Sequence, residues 1–226
     1  MKRFMLLFFL LSFSTSSHCG IDEGLISVAT AKSATYYSRY NTREFLAIEK
    51  LDQSINFEDP DLELLNATIF HLTNKEREKR KLEPLVYSAA LRNAAQLHSE
   101  QMRDLKFFSH TNRKQKAFAS HTDRIRYFGR RFPFTGENIH KVPAVKVKYH
   151  SARNLTNVKA HYSVTPLTYL ELARQIVKGW MQSSGHRANI LDKDYKYLGC
   201  GNALPLSTTS HGRRMYTLST QNFAGP

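Results

Sequence analysis

With 226 residues, 41% of them hydrophobic and 12% aromatic, the chain is long enough to bury a full core and lies far from the polar compositions that stay disordered. Only two cysteines are present, which excludes a small disulfide-stapled scaffold. Lys and Arg total 33 against 19 Asp and Glu, a formal charge of +14 that favours anionic partners such as nucleic acid, lipid head groups or acidic polysaccharide and says nothing about fold.

The first residues bear on compartment. Lys2 and Arg3 form a positive start, Phe4 to Leu11 with Phe13 an apolar stretch, and Ser12 to Ser17 a small-residue approach to a cleavage point. Residues 1–18 therefore read as a secretory signal peptide, and the protein is expected outside the cytoplasm, whether secreted, periplasmic or lipid-anchored at the cell envelope. The apolar run is about half of the roughly 20 residues a membrane-spanning helix needs. Cys19 sits where bacterial lipoprotein processing would acylate it. His18 stands where that processing prefers a small residue, so plain cleavage nearby is the competing outcome, and a Cys19–Cys200 bridge is a third.

Residues 19–58 are weakly periodic and read as a tether or loosely packed extension. Regular structure is predicted from Asp59 as N-cap, with Pro60 first in the helix and Leu62, Leu65, Ile69 and Leu72 at helical spacing. The basic run from Lys75 to Lys81 suits the negative end of that helix. A second helix runs from Ser88 to about Leu105, with Leu91, Ala94, Ala95, His98 and Met102 on one stripe; His98 reads as a hydrogen-bonded core residue. A short helix from Asp123 to Phe128 ends at Gly129, and Gly136 to His140 reads as a strand. Thr168 to Glu171 fits a capping box opening a fourth helix, with an apolar face through Ala173, Ile176, Val177 and Trp180, that Gly185 is expected to stop. Tyr197 to Leu204 and Arg214 to Phe223 read as strands. This order implies an α+β domain in which helices cover a mostly antiparallel sheet.

Three stretches are not explained by periodicity: Phe107-Phe108-Ser109-His110, Gly136-Glu137-Asn138-Ile139, and Trp180 to Leu191, which contains Gly185-His186-Arg187 and Asn189-Ile190-Leu191. In this order they resemble the CAP superfamily, also called SCP-like, whose members include cysteine-rich secretory proteins, insect venom allergens, plant pathogenesis-related proteins and many bacterial exported proteins. The likeness is to the bacterial branch and covers roughly residues 60 to 226, ending on Gln221-Asn222-Phe223. It implies an α-β-α sandwich over a CAP domain at 59–226, and a cleft in which the family places two His and two Glu. Matching motifs put His110, Glu137 and His186 on three of those positions. Ser183 stands on the fourth, which counts against any mechanism that needs two carboxylates.

Two imidazoles, with Glu137 as direct ligand or as orienter, can hold a divalent ion such as Zn²⁺ and leave a position open for water. A hydrogen-bonded network tying loops together is the alternative reading of the same residues. No His-Glu-x-x-His and no Gly-x-Ser-x-Gly occurs, neither cysteine has a nucleophile's context, and Ser184 near His186 reads as a local cap. No Asp or Glu lies between Asn138 and Leu170, whereas Lys141, Lys146, Lys148, Arg153 and Lys159 do, marking 141–166 as a basic insert that reads as a binding face or as a solvated loop. Export and the lack of a nucleic-acid-binding motif argue against nucleic acid. The expectation is a non-catalytic binding protein whose His/Glu cleft takes a lipid, a sterol, a divalent metal or an anionic envelope polymer. The alternatives are a metal-dependent hydrolase or peptidase with Glu137 as general base, and a cell-surface interaction module resting on the insert.

Overall fold

The computed structural model describes residues 35–150, 161–204 and 215–226. Most helices begin where a side chain satisfies the first free N–H groups. Helix α1 (Thr42–Phe45) opens on an Asn41/Glu44 capping box, α4 (His121–Tyr127) on Ser120/Asp123, and α5 (Tyr169–Gln182) on Thr168/Glu171. Helix α2 (Leu62–Glu78) is capped by Asp61, which accepts from the Leu64 N–H, rather than by Asp59 as the sequence pattern implied. Helix α3 (Ala89–Asp104) follows Ser88. Gly185 does not stop the chain's helical course: α5 closes at Gln182, and Ser183 is at once its C-cap and the N-cap of a further helix, α6 (Ser184–Leu191).

Strands β1 (Val86–Tyr87), β2 (Thr135–Pro143), β5 (Tyr197–Ala203) and β6 (Tyr216–Ala224) form one sheet in the order β1-β5-β6-β2, antiparallel apart from the short parallel β1–β5 pair. Residues on β5 alternate between faces, as a strand must. Gly199 and Gly201 face α3, and a Cβ at either would sit about 2 Å from backbone atoms of Arg92 or Gln96, so glycine is what lets this helix lie directly on the sheet. On the opposite face, Leu198, Cys200 and Phe223 join the main core with Leu65 and Ile69 of α2 and with Leu172, Ile176 and Trp180 of α5. The result is the expected α-β-α sandwich.

Two departures from the sequence reading concern what surrounds that sandwich. Residues 35–58 do not trail as a tether: Phe45, Leu51, Ile55 and Phe57 are buried in the main core, and Ile55 N–H donates to the Leu167 carbonyl at 3.0 Å. The insert is not merely a loop either. Strands β3 (Val145–His150) and β4 (His161–Pro166) pair antiparallel as a separate two-stranded sheet, tied in by Ala144 N–H to the Met215 carbonyl. Lys141 lies 5.0 Å over the Tyr216 ring and Lys146 pairs with Glu171 at 2.5 Å, whereas Lys148 is exposed. Arg153, Lys159, Cys19 and the leader at 1–18 lie outside the described residues.

Candidate functional site

Strand β2 is an edge strand, and its alternation sends Glu137 toward α3 and Asn138 toward α6. The site is built around that edge. On the α3 side, Glu137 is buried, and both of its oxygens are engaged. His110 Nδ1 lies 2.9 Å from Oε1, and Arg124 Nη2 donates to Oε2 at 2.6 Å. With its amide turned so that the oxygen accepts from the Ala95 N–H, Asn222 also donates to Oε2 at 3.2 Å.

Arg124 belongs to α4 and is fully buried. Its guanidinium also donates to the Phe118, Ala119 and His110 carbonyls at 2.9, 3.2 and 3.3 Å, so one side chain clamps the loop after α3, the turn before α4 and the β2 carboxylate. Burial pushes the Glu137 carboxyl up, but the His110 hydrogen bond and the Arg124 charge outweigh it and hold the group below the usual carboxylate range. An ionised carboxylate only accepts, so the proton in the His110 contact sits on Nδ1 and the Nε2 lone pair points away from Glu137. The His110 side chain is 52% exposed.

His98 sits as the α3 stripe required, fully buried, with Nε2 3.0 Å from the Ser109 carbonyl. A carbonyl accepts, so Nε2 carries the proton, and this bond fixes the backbone just before His110. Burial pushes His98 down to about 4, against the pull of Glu137 3.9 Å away. His121 is lowered for the same first reason, with Glu137 opposing.

On the other side of β2, α6 is stitched to the strand by amides. Asn138 Nδ2 donates to the His186 carbonyl at 3.0 Å, and Asn189 Nδ2 donates to Asn138 Oδ1 at 2.8 Å. These bonds fix where His186 stands. Burial lowers His186, and the charge of His110 lowers it further. Ser183 is spent on the α5–α6 junction, its N–H donating to Trp180 and its carbonyl accepting from Arg187.

The donor set only partly suits a resident metal ion. Each Glu137 oxygen already accepts a hydrogen bond and the side chain is about 1% exposed, which limits its access as a direct ligand, and among the described residues no three His, Cys, Asp or Glu side chains are grouped to hold an ion. What remains of the expected triad is the orienting role: a carboxylate on Nδ1 fixes the ring and tautomer of His110. Sequence reasoning gave no site role to Arg124 or His121, and named Asn189 and Asn222 only as parts of the matching stretches. Arg124 stood within a basic run, and nothing in that run distinguished a buried cation from solvated ones.

Comparison with known proteins frames this geometry. The family model for the cysteine-rich secretory protein family (CAP) matches residues 70–223. The uncharacterized protein YkwD of Bacillus subtilis (strain 168) is 30% identical over 133 residues, which is 59% of this chain and 40% of that protein. The uncharacterized membrane protein YlbC of the same organism is 31% identical over 133 residues, 59% of this chain and 30% of its own length. The match therefore spans less than half of either relative. Among solved structures, an extracellular protein containing a SCP domain from Bacillus anthracis str. Ames is 24% identical with a TM-score of 0.50, over 72% of this chain and 40% of that one.

Proposed function

The chain belongs to the cysteine-rich secretory protein (CAP) family, and on that premise we propose that it is an exported binding protein whose His110–His186 cleft takes an anionic envelope ligand without turning it over. The observation that supports this reading is the closure of Glu137 on Arg124 and His110. A general base must reach a substrate proton, and this carboxylate is about 1% exposed with a hydrogen bond already on each oxygen. Its work is to hold His110 with Nε2 outward.

The ligand class follows from the wall beside His110. Between residues 106 and 134 the exposed cations are Lys106, Arg113, Lys114, Lys116, Arg126, Arg130 and Arg131, and the single acid, Asp123, is engaged by the Ser120 N–H and hydroxyl. Phe108 and Phe134 are exposed among them, a mixture suited to lipid head groups or a phosphate-bearing polymer. Export rests on the leader-like residues 1–18. No helix among the described residues is long and apolar enough to cross a membrane.

The test is co-sedimentation with vesicles of phosphatidylglycerol, vesicles of phosphatidylcholine, and a soluble poly(glycerol phosphate). Binding to an anionic probe that His110→Ala weakens is the expected result. Chelator-sensitive hydrolysis of peptides, lost in Glu137→Gln, would overturn it in favour of the hydrolase.

A further inference from the structure

A cavity of about 990 Å³ lies away from this cleft, and none of His110, Arg124, Glu137 or His186 lines it. It runs along α3 from Arg92 to Leu105, roughly 20 Å at the helical rise. Residues 50–63 and Tyr169 form one wall, and Gln115, Phe118, Tyr127 and Phe128 the other.

Its chemistry is unlike that of the rest of this cationic surface. The two cations in the lining are already matched, Lys50 with Asp61 at 2.7 Å and Arg92 with Glu63. Asp59, Glu100 and Asp104 add further carboxylates, so an anionic polymer suited to the 106–131 segment is repelled here. What the lining offers instead is neutral amides: Gln53, Asn56, Asn93, Gln101 and Gln115. Each amide both donates and accepts, as each hydroxyl of a polyol does. Gln101 is more than nine-tenths buried, and its Oε1 has no partner among the described residues; Arg92 Nε is in the same position. Within the protein Gln101 donates to Gln115 Oε1 at 2.7 Å, Arg92 to Asn93 Oδ1 at 3.1 Å and the Glu58 N–H to Asn56 Oδ1 at 3.1 Å, so an aliphatic chain would leave unmatched the remaining amide atoms and Gln101 Oε1.

The aromatic component points the same way. Tyr127 is 57% exposed, yet Phe118 and Phe128 brace it edge to face, with centroids at 4.9 and 5.1 Å and interplanar angles of 85° and 86°. An exposed ring held rigid by two others is a platform for the C–H face of a sugar. We propose that this cavity is a second binding site, for a short neutral oligosaccharide laid along α3 with one ring on Tyr127 and its hydroxyls paired to the amides.

The experiment is isothermal titration of the full chain with two neutral probes, maltotetraose and chitotetraose, at low and at high salt. Binding of one of them is expected, indifferent to salt and to His110→Ala, and weakened about tenfold or more by Tyr127→Ala, a loss worth about 1.4 kcal/mol. Asn93→Ala, which touches no aromatic packing, serves as the second variant and is expected to weaken binding while leaving the circular dichroism spectrum unchanged. No binding of either sugar, or binding that both variants leave intact, overturns the proposal. So does displacement of a bound sugar by poly(glycerol phosphate), which would return the cavity to the anionic class.

Discussion

Arg124 is one of eight basic residues between Lys106 and Arg131, and only the fold separates it from the other seven. Removing it strands Glu137 in the interior without its counter-charge, a loss of about 3–5 kcal/mol for a broken buried pair. Arg124→Leu should therefore lower the free energy of urea unfolding by that amount, and a change under about 1 kcal/mol would show that the clamp does not hold the loop. Of the site's lowered histidines, His98 is shifted furthest, with His121 and His186 lowered in the same direction. The folded value of His98, about 4, lies below the ordinary 6.5, so the unfolded chain takes up the proton first as pH falls. The contribution is complete above about pH 6.5 and is lost on descent toward 4, about 3 kcal/mol in all. Glu137, held low in the folded state, loses its contribution in the same direction as pH falls further. His98→Gln should flatten the stability profile between pH 6.5 and 4; an unchanged slope would place the titrating group elsewhere.

Two glycines separate what element-level patterns reveal from what only packing reveals. Gly185 was legible as a breaker, yet α6 runs through it and a Cβ there meets nothing within 4 Å. Gly185→Ala should thus stabilise the protein by about 0.5–1 kcal/mol. Gly199→Ala should do the opposite, because the new methyl meets the α3 backbone rather than a side chain that can swing away, with a loss at or above the usual 1–3 kcal/mol for overpacking. Paired thermal melts decide both signs. Helix α3 could be read from its apolar stripe and α5 from its capping box and stripe, because these are local signals, although Ser88 makes no side-chain cap bond at the start of α3. β3 did carry a local signal, the alternation of Val145 and Val147 with Lys146 and Lys148, which a reading of the segment by its charge passed over, and its pairing with β4 depends on partners across 151–160. Likewise, the resemblance to family motifs brought His110, Glu137 and His186 into view, while the bonds that make Glu137 an orienter come from Arg124 and Asn222 on other elements.

Across the whole molecule, a charge of +14 matters through its distribution. The 106–131 segment, which carries His110, concentrates exposed cations, the α3 cavity gathers acids and amides, and Lys146 of the insert is already matched by Glu171. If the anionic ligand docks where the free charges are, Lys116→Gln, Arg130→Gln and Arg131→Gln combined should weaken vesicle binding by about tenfold at low salt, with the effect shrinking as screening shortens toward about 8 Å at physiological ionic strength. Lys146→Gln with Lys148→Gln should change it much less. Thermal stability should stay close to the wild type in both sets, because exposed substitutions of this kind rarely move stability by more than about 0.5 kcal/mol. Titrating each variant against phosphatidylglycerol vesicles over a range of salt concentrations separates the two surfaces. Equal losses in the two sets would move the docking face to the insert, and salt-independent binding would remove the electrostatic reading, because screening acts on exposed charges wherever on the surface they lie.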